Sequence, residues 1–316
     1  MKLGLLITQY IIYRKALGEK FRTNEECLNY FCKTIGSTRE ISQITEEEVT
    51  IFLCGTKKAP ITSGWFVRHN ALLGFYHYAH TRGYVEQVPL PTTLPKHPQP
   101  FVPYIYSKDD LRHLLNAVAS YQTHKSSRQP QMIRTILILL YGTGLRIGEA
   151  LSLKLGDISL EQNLITVRDS KFYKSRLVPI GNQLREVLSN YIMERAQYAS
   201  NNDYEDHLFL NNNNLPLSIH TMRNIFQRIR KKAGLVGYEG SSYLPRLHDL
   251  RHTFAVHHLI KWYQEKKDIQ KLLPILSTYM GHSQLAHTTV YLSMTADLLR
   301  EAGARFEQYA MEGDQP

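Results

Sequence analysis

In the opening stretch MKLGLLITQYIIYRK, apolar residues recur at helical spacing, which predicts an amphipathic first helix. Gln9, Tyr10 and Arg14 break the apolar run before it reaches the length of a signal peptide. TNEECLNYFCKTIG and TEEEVTIFLCG each open on a threonine with a glutamate three residues later, Thr23 with Glu26 and Thr45 with Glu48. That pairing is a capping box, so two further helices are expected to start there. A longer apolar periodicity runs from Trp65 through Ala79 and stops near Gly83. Later in the chain SKDDLRHLLNAV and QMIRTILILLYG read as helices, and LITVRDSKFYKSRLVPIG reads as two short strands around a polar turn. From about residue 218 the pattern returns to helix. The expected fold is mainly α with a small antiparallel β-sheet.

Six of the 13 prolines fall in PLPTTLPKHPQPFVP, residues 89 to 103, a density that continues neither a helix nor a central strand. The pattern therefore divides into a helical domain over 1–88, a proline-rich linker over 89–104 and a mixed α and β domain over 105–316. A chain of 316 residues is long for one core, which agrees with two domains. With 43% hydrophobic residues and a mean hydropathy of −0.33 it can bury a substantial core, and no apolar run approaches the ~20 residues of a membrane span. No membrane partner is expected. Cys27, Cys32 and Cys54 form no CxxC pair and are odd in number, which argues against a disulfide framework and fits a reducing cytoplasm.

The net charge of +10 and a pI near 9.3 favour a polyanionic partner. Residues 1 to 88 hold 11 Lys and Arg against 8 acids, and the remainder hold 27 against 20, so an anionic ligand could touch both halves.

HDLRHTFAVHHL, residues 248 to 259, concentrates four histidines and an arginine. His248 and His252, four apart on one helical face, have the spacing of two metal ligands, whereas His248 and Arg251 could grip a phosphate. The stretch lacks the glutamate a zinc hydrolase needs beside its first histidine, and Arg251 would set a cation beside the metal, so no metal is expected. YGTGLRIGEALSL, residues 141 to 153, spaces its glycines GxGxxxG after a helical pattern, which is not a dinucleotide loop. It reads instead as a turn between helices. Arg146 lies near the start of the second helix, free to aim its fork at a phosphate, with Glu149 three residues on to orient it. A second HxxR, His220 to Arg223, shows that this spacing alone identifies nothing.

In the order of its motifs the second half resembles the tyrosine recombinase (phage integrase) family. TGLRIGEALSL resembles the family's first arginine motif, with Arg146 in the arginine position. KFYKSRLVPI resembles its β-hairpin motif, with Lys171, in preference to Lys174, as the catalytic lysine. HDLRHTFA resembles its HxxR box and carries His248 and Arg251. MGHSQLAHTTVYLSMT resembles its closing motif, with His282 as the second histidine and Tyr291 as the nucleophile. The likeness covers residues 105 to about 300. The 31 residues from Arg251 to His282, filled by KWYQEKKDIQKLLPIL, are longer than in compact members, which leaves the helix geometry of that interval open. The amino-terminal half resembles the family's helical core-binding domain in length, helicity and position.

The resemblance implies a DNA-cutting and rejoining enzyme that needs neither metal nor other cofactor. Two arginines would clamp the phosphate, whose pentacoordinate transition state suits their forks better than lysines. Tyr291 would end joined to the 3′ phosphate, activated from its usual pKa near ~10 by the surrounding arginines and histidines. Lys171 would protonate the departing 5′ oxygen, His248 would act in proton transfer with the nucleophile, and His282 would donate to a non-bridging oxygen. His252, His257 and His258 are assigned to packing or the DNA-facing surface. The partners implied are duplex DNA at specific sites and further copies of the chain, as a tetramer on paired sites, in the cytoplasm and associated with the nucleoid. An integrase of a mobile element, a resolvase of replicon dimers, a type IB topoisomerase and a catalytically silent DNA-binding regulator share parts of this pattern. The regulator should lack a catalytic residue, and none is lacking.

Overall fold

The computed structural model describes residues 1–55, 61–96, 102–119, 129–168, 175–199, 203, 205–237, 243–282, 284–293, 299–300 and 303. The chain forms two compact units, Met1–Phe101 and Val102–Pro316.

The first unit is built from α1 (Leu3–Ala16), α2 (Arg22–Ile35), α3 (Glu46–Cys54) and α4 (Ser63–Thr81) around Leu3, Leu28, Phe31, Leu72 and Phe75, all fully buried. The expected capping box at Thr45 forms: its hydroxyl accepts from the Glu48 N–H at 3.3 Å, and Glu48 accepts from the Thr45 N–H at 3.1 Å. The one expected at Thr23 does not. α2 begins at Arg22, leaving Thr23 inside the first turn, and its capping position is Phe21, held left-handed at φ 45° with no side-chain cap. That backbone turn puts the Phe21 ring edge-on to Tyr10, with centroids 5.5 Å apart. Burying the ring contributes ~2 kcal/mol or more, against ~1 for the cap it displaces. Val85 and Leu90 are buried on this same core, so the chain stays with the first unit into the proline-rich stretch.

The second unit runs α5 (Lys108–Ala119), α6 (Gln129–Thr143), α7 (Ile147–Ser152), β1 (Ile158–Ser159), β2 (Leu164–Val167), β3 (Arg176–Pro179), α8 (Asn182–Ala196), α9 (Ile219–Lys232), α10 (Asp249–Gln264), α11 (Ile269–Met280) and α12 (Ala286–Thr289), then a 3-10 turn over Val290–Ser293. The three strands are antiparallel in the order β1-β2-β3, and Val167 pairs with Arg176 where the hairpin opens. Lys171 and Lys174, between those two residues in sequence, lie outside the described residues. The long interval after Arg251 is absorbed by helix and leaves the path into His282 intact. α10 continues to Gln264, Lys266 turns left-handed at φ 54°, and the Asp268 carboxylate caps α11. α11 then ends at Gly281, whose φ of 70° stops the helix at His282. No helix among the described residues is long and apolar enough to cross a membrane.

Candidate active site

Arg146, Glu149, His248, Arg251, His282 and Tyr291 come together where the starts of α7 and α10 meet the end of α11 and the 3-10 turn. The polypeptide has to reverse sharply at two of these points, and glycine provides for both. At Gly144 (φ 62°) a Cβ would fall 2.5 Å from the Phe254 ring, and at Gly281 (φ 70°) 2.6 Å from the Arg176 guanidinium. The carbonyls of these same glycines then face the arginines.

Arg251 is 2% exposed and donates to Gly144 O at 2.6 Å and Met280 O at 2.8 Å. Burial, reinforced by the charge of Arg146, lowers its pKa to about 10, so it stays a cation at neutral pH. Arg146 donates to Gly281 O at 2.9 Å and to Glu149 at 2.8 Å, while its backbone N–H is also held by Glu149, at 3.0 Å. It keeps a third of its side-chain surface open, unlike its anchors. Burial pushes the Glu149 carboxyl up, but the hydrogen bonds and charge of Arg176, followed by those of Arg146, hold it down at about 2.

Arg176 is absent from the residues that sequence motifs bring forward. It opens β3 and forks onto Glu149 at 2.8 and 3.2 Å while its Nε donates to Tyr279 O at 2.9 Å. Only the two-residue offset from Lys174 marks it, and nothing local to RLVP distinguishes it from a solvated arginine.

Tyr291 is 3% exposed. Its hydroxyl lies 3.2 Å from Nδ1 of His252, and its ring stacks on His282 with centroids 6.2 Å apart. His252, assigned from sequence to packing or the DNA-facing surface, thus sets its Nδ1 against the Tyr291 hydroxyl. His248, expected to serve that oxygen, stands behind His252 with its ring edge-on at 5.0 Å. His257 and His258 do pack, bonding the Tyr141 hydroxyl at 3.0 Å and Phe254 O at 2.8 Å. His282 meets the Thr288 hydroxyl through Nδ1 at 2.7 Å, which leaves Nε2 for another partner.

The electrostatics of Tyr291 also differ from expectation. Burial raises the Tyr291 pKa, and the opposing charge and hydrogen bond of Arg251 do not reverse this. The phenol is thus protonated at neutral pH. Burial followed by the nearby cations lowers His248 to about 4 and His282 to about 3; burial followed by His248 and then the arginines lowers His252 to about 3. All three imidazoles are neutral near pH 7 and can accept a proton or donate one hydrogen bond each. Among the described residues no cluster of His, Cys, Asp or Glu is arranged to hold a metal.

A profile of the phage integrase family matches residues 106–297. The chain is 33% identical over 304 residues to the putative integrase/recombinase y4rB of Sinorhizobium fredii, covering 96% of both proteins. It is 31% identical to the tyrosine recombinase XerC of Oceanobacillus iheyensis, over 89% of this chain and 87% of that one. Among solved structures, the Tn1549 transposon integrase in complex with transposon right end DNA superposes with a TM-score of 0.71 at 18% identity, covering 98% of this chain and 100% of that one. A lambda integrase dimer bound to a COC′ core site gives 0.65, also at 18%, over 90% and 96%. At such identities the two structures speak for the fold.

Proposed function

The chain belongs to the phage integrase family and is a tyrosine site-specific DNA recombinase, and from that premise we propose that Tyr291 cuts and rejoins DNA through a 3′-phosphotyrosine intermediate. The observation that carries the assignment is the placement of the Tyr291 hydroxyl: buried, against His252, within the charge of Arg251 and Arg146.

A DNA phosphate docks on the open edge of Arg146 and beside Arg251, where backbone carbonyls already hold both guanidiniums and little reorganisation is needed. The Tyr291 oxygen attacks phosphorus, forming P–O(Tyr) and breaking P–O5′. Because burial keeps the phenol protonated, its proton has to leave during the attack. Nδ1 of neutral His252, with hydrogen on Nε2, is placed to receive it. A base of pKa about 3 suffices only in a concerted step, since the tyrosine oxygen loses its basicity as it bonds to phosphorus. His248 backs His252, His282 donates from Nε2 to a non-bridging oxygen, and Lys171 protonates the departing 5′ oxygen. The energy of the broken bond is kept in the phosphotyrosine, so a second strand's 5′ hydroxyl reverses the step without ATP.

The helical unit contributes DNA contacts as a core-binding domain, and the working form is a tetramer on paired sites, in the cytoplasm at the nucleoid. The biological role is integration for a mobile element. A duplex nicked near the cleavage position tests the chemistry: loss of the short fragment should trap protein on the 3′ phosphate, in a complex that survives denaturant and disappears with protease. Tyr291→Phe should bind the DNA and trap nothing. Trapping by that variant would end this reading.

A further inference from the structure

Three consecutive carbonyls at the carboxyl end of α11 each accept from a different arginine. Tyr279 O takes Arg176 Nε at 2.9 Å, Met280 O takes Arg251 Nη2 at 2.8 Å and Gly281 O takes Arg146 Nη2 at 2.9 Å. The last carbonyls of a helix have no partner within it and carry its negative dipole end, so they are suited to this use. Arg251 and Arg146 are the phosphate clamp. Arg176 stands in the same row, yet no step of the cleavage chemistry calls on it.

Its bonds show that it is not a third phosphate ligand. The side chain is 10% exposed, its two terminal nitrogens fork onto Glu149 and its Nε points to Tyr279 O. The fork and the third donor are what a lysine at this position would lack. The room for that guanidinium exists because residue 281 has no Cβ.

Arg176 is also the first residue of β3, paired with Val167 at the mouth of the hairpin, and Lys171 precedes it by five residues. At the far end of the same strand Pro179 O accepts from the Tyr279 hydroxyl at 3.0 Å. β3 is thus fastened to the end of α11 at both its ends. The Arg176 side chain that makes the first of these ties also forks onto the carboxylate that holds Arg146.

We propose that Arg176 is a positioning residue that sets the lysine-bearing hairpin in register with the Arg146 and Arg251 clamp, so that proton donor and clamp reach the same phosphate. This rests on the recombinase reading and on Lys171 as the acid in it. The consequence is selective. Without Arg176 the clamp keeps its own carbonyl anchors, while β3 keeps its tie at Pro179 and loses the one at its lysine-side end, so the step that suffers is protonation of the departing 5′ oxygen.

Leaving-group chemistry isolates that step. In DNA whose bridging 5′ oxygen is replaced by sulfur, P–O(Tyr) forms and P–S breaks, and the sulfur departs as a thiolate that needs no proton. Single-turnover formation of the covalent complex is measured with oxygen and sulfur substrates for wild type, Lys171→Ala, Arg146→Ala, Arg176→Ala and Arg176→Lys. Arg176→Ala should be slowed ~100-fold or more on oxygen and come within about 5-fold of wild type on sulfur, the behaviour expected of a lost general acid. Lys171→Ala should be rescued in the same way and Arg146→Ala should not. Arg176→Lys, which keeps the charge and loses the fork, should follow Arg176→Ala; it is the variant to read if the alanine chain does not fold. Equal defects of both Arg176 variants on the two substrates, or no defect on either, would overturn the proposal while rescued Lys171→Ala leaves the recombinase reading intact. Failure of wild type to form the complex, or of sulfur to rescue Lys171→Ala, would overturn the underlying reading and this proposal with it.

Discussion

Replacing Glu149 by glutamine keeps the shape of the side chain and removes the charge that Arg146 and Arg176 share. The carboxyl is 10% exposed and is held at about 2 against an ordinary 4.5. At 1.36 kcal/mol per pH unit, that gap is a contribution of ~3 kcal/mol to folding at neutral pH. The folded pKa is the lower one, so the stabilisation is fully present above pH 4.5 and is lost as pH falls towards 2. Between pH 7 and pH 3 about 2 kcal/mol of it should disappear. Glu149→Gln should therefore be ~3 kcal/mol less stable than wild type at pH 7, with a gap that narrows to ~1 kcal/mol at pH 3. The two tryptophans make the assay specific, because Trp65 lies in the first unit and Trp262 in the second. Urea unfolding followed by Trp262 fluorescence in a Trp65→Phe background, repeated from pH 7 to pH 3, reads the unit that carries the site. A gap independent of pH, or no gap at pH 7, would refute the reasoning.

The same geometry sets other outcomes. His252→Gln should bind nicked DNA normally and form the covalent complex ~100-fold more slowly, since an amide can accept a hydrogen bond from the hydroxyl but cannot take up its proton; unchanged single-turnover rates would return His252 to a packing role. Because His248, His252 and His282 are held at about 4, 3 and 3, the wild-type cleavage rate should show no inflection near pH 6.5, and a pH–rate profile over 5.5 to 8 checks this. Gly281→Ala should cost ~2 kcal/mol or more, from the left-handed backbone and the displaced Arg176, and should slow cleavage more than it weakens gel-shift binding. Tyr279→Phe, which removes one half-exposed hydrogen bond to Pro179 O, should lose ~1 kcal/mol and still trap DNA, in contrast to Tyr291→Phe.

Periodicity locates the helices because their apolar faces are what the two cores bury. α1, α4, α5 and α6 fall where the spacing puts them, as does the β2 and β3 hairpin. The start of α2 departs from its capping signal because that signal counts for less than the burial of Phe21, and burial of one ring cannot be seen in local sequence. At the site, motif order singles out Arg146, His248, Arg251, His282 and Tyr291. It cannot show which histidine faces the Tyr291 hydroxyl. His248 and His252 share a helical face, and only the path of the chain after α11 decides that Tyr291 meets His252. Arg176 is hidden for a similar reason, since its partners lie 27 and 103 residues away. Sequence alone points to cations as the control on the Tyr291 pKa; its burial, a property of the folded unit, outweighs them.

The row of carbonyls at the end of α11 also determines how much positive potential the site retains. A guanidinium fixed by a carboxylate is neutralised by what fixes it. One fixed by a peptide carbonyl is oriented by a dipole and remains a full charge. Among the described residues, Arg146, Arg176 and Arg251 draw on four carbonyls but on a single carboxylate, Glu149, so three cations are immobilised with two unit charges to spare. A phosphodiester carries one negative charge and its pentacoordinate transition state two. The surplus matches the second and exceeds the first, a difference in binding that favours the transition state over bound substrate. Anchoring through the backbone is thus what lets rigid arginines keep their positive potential in the site.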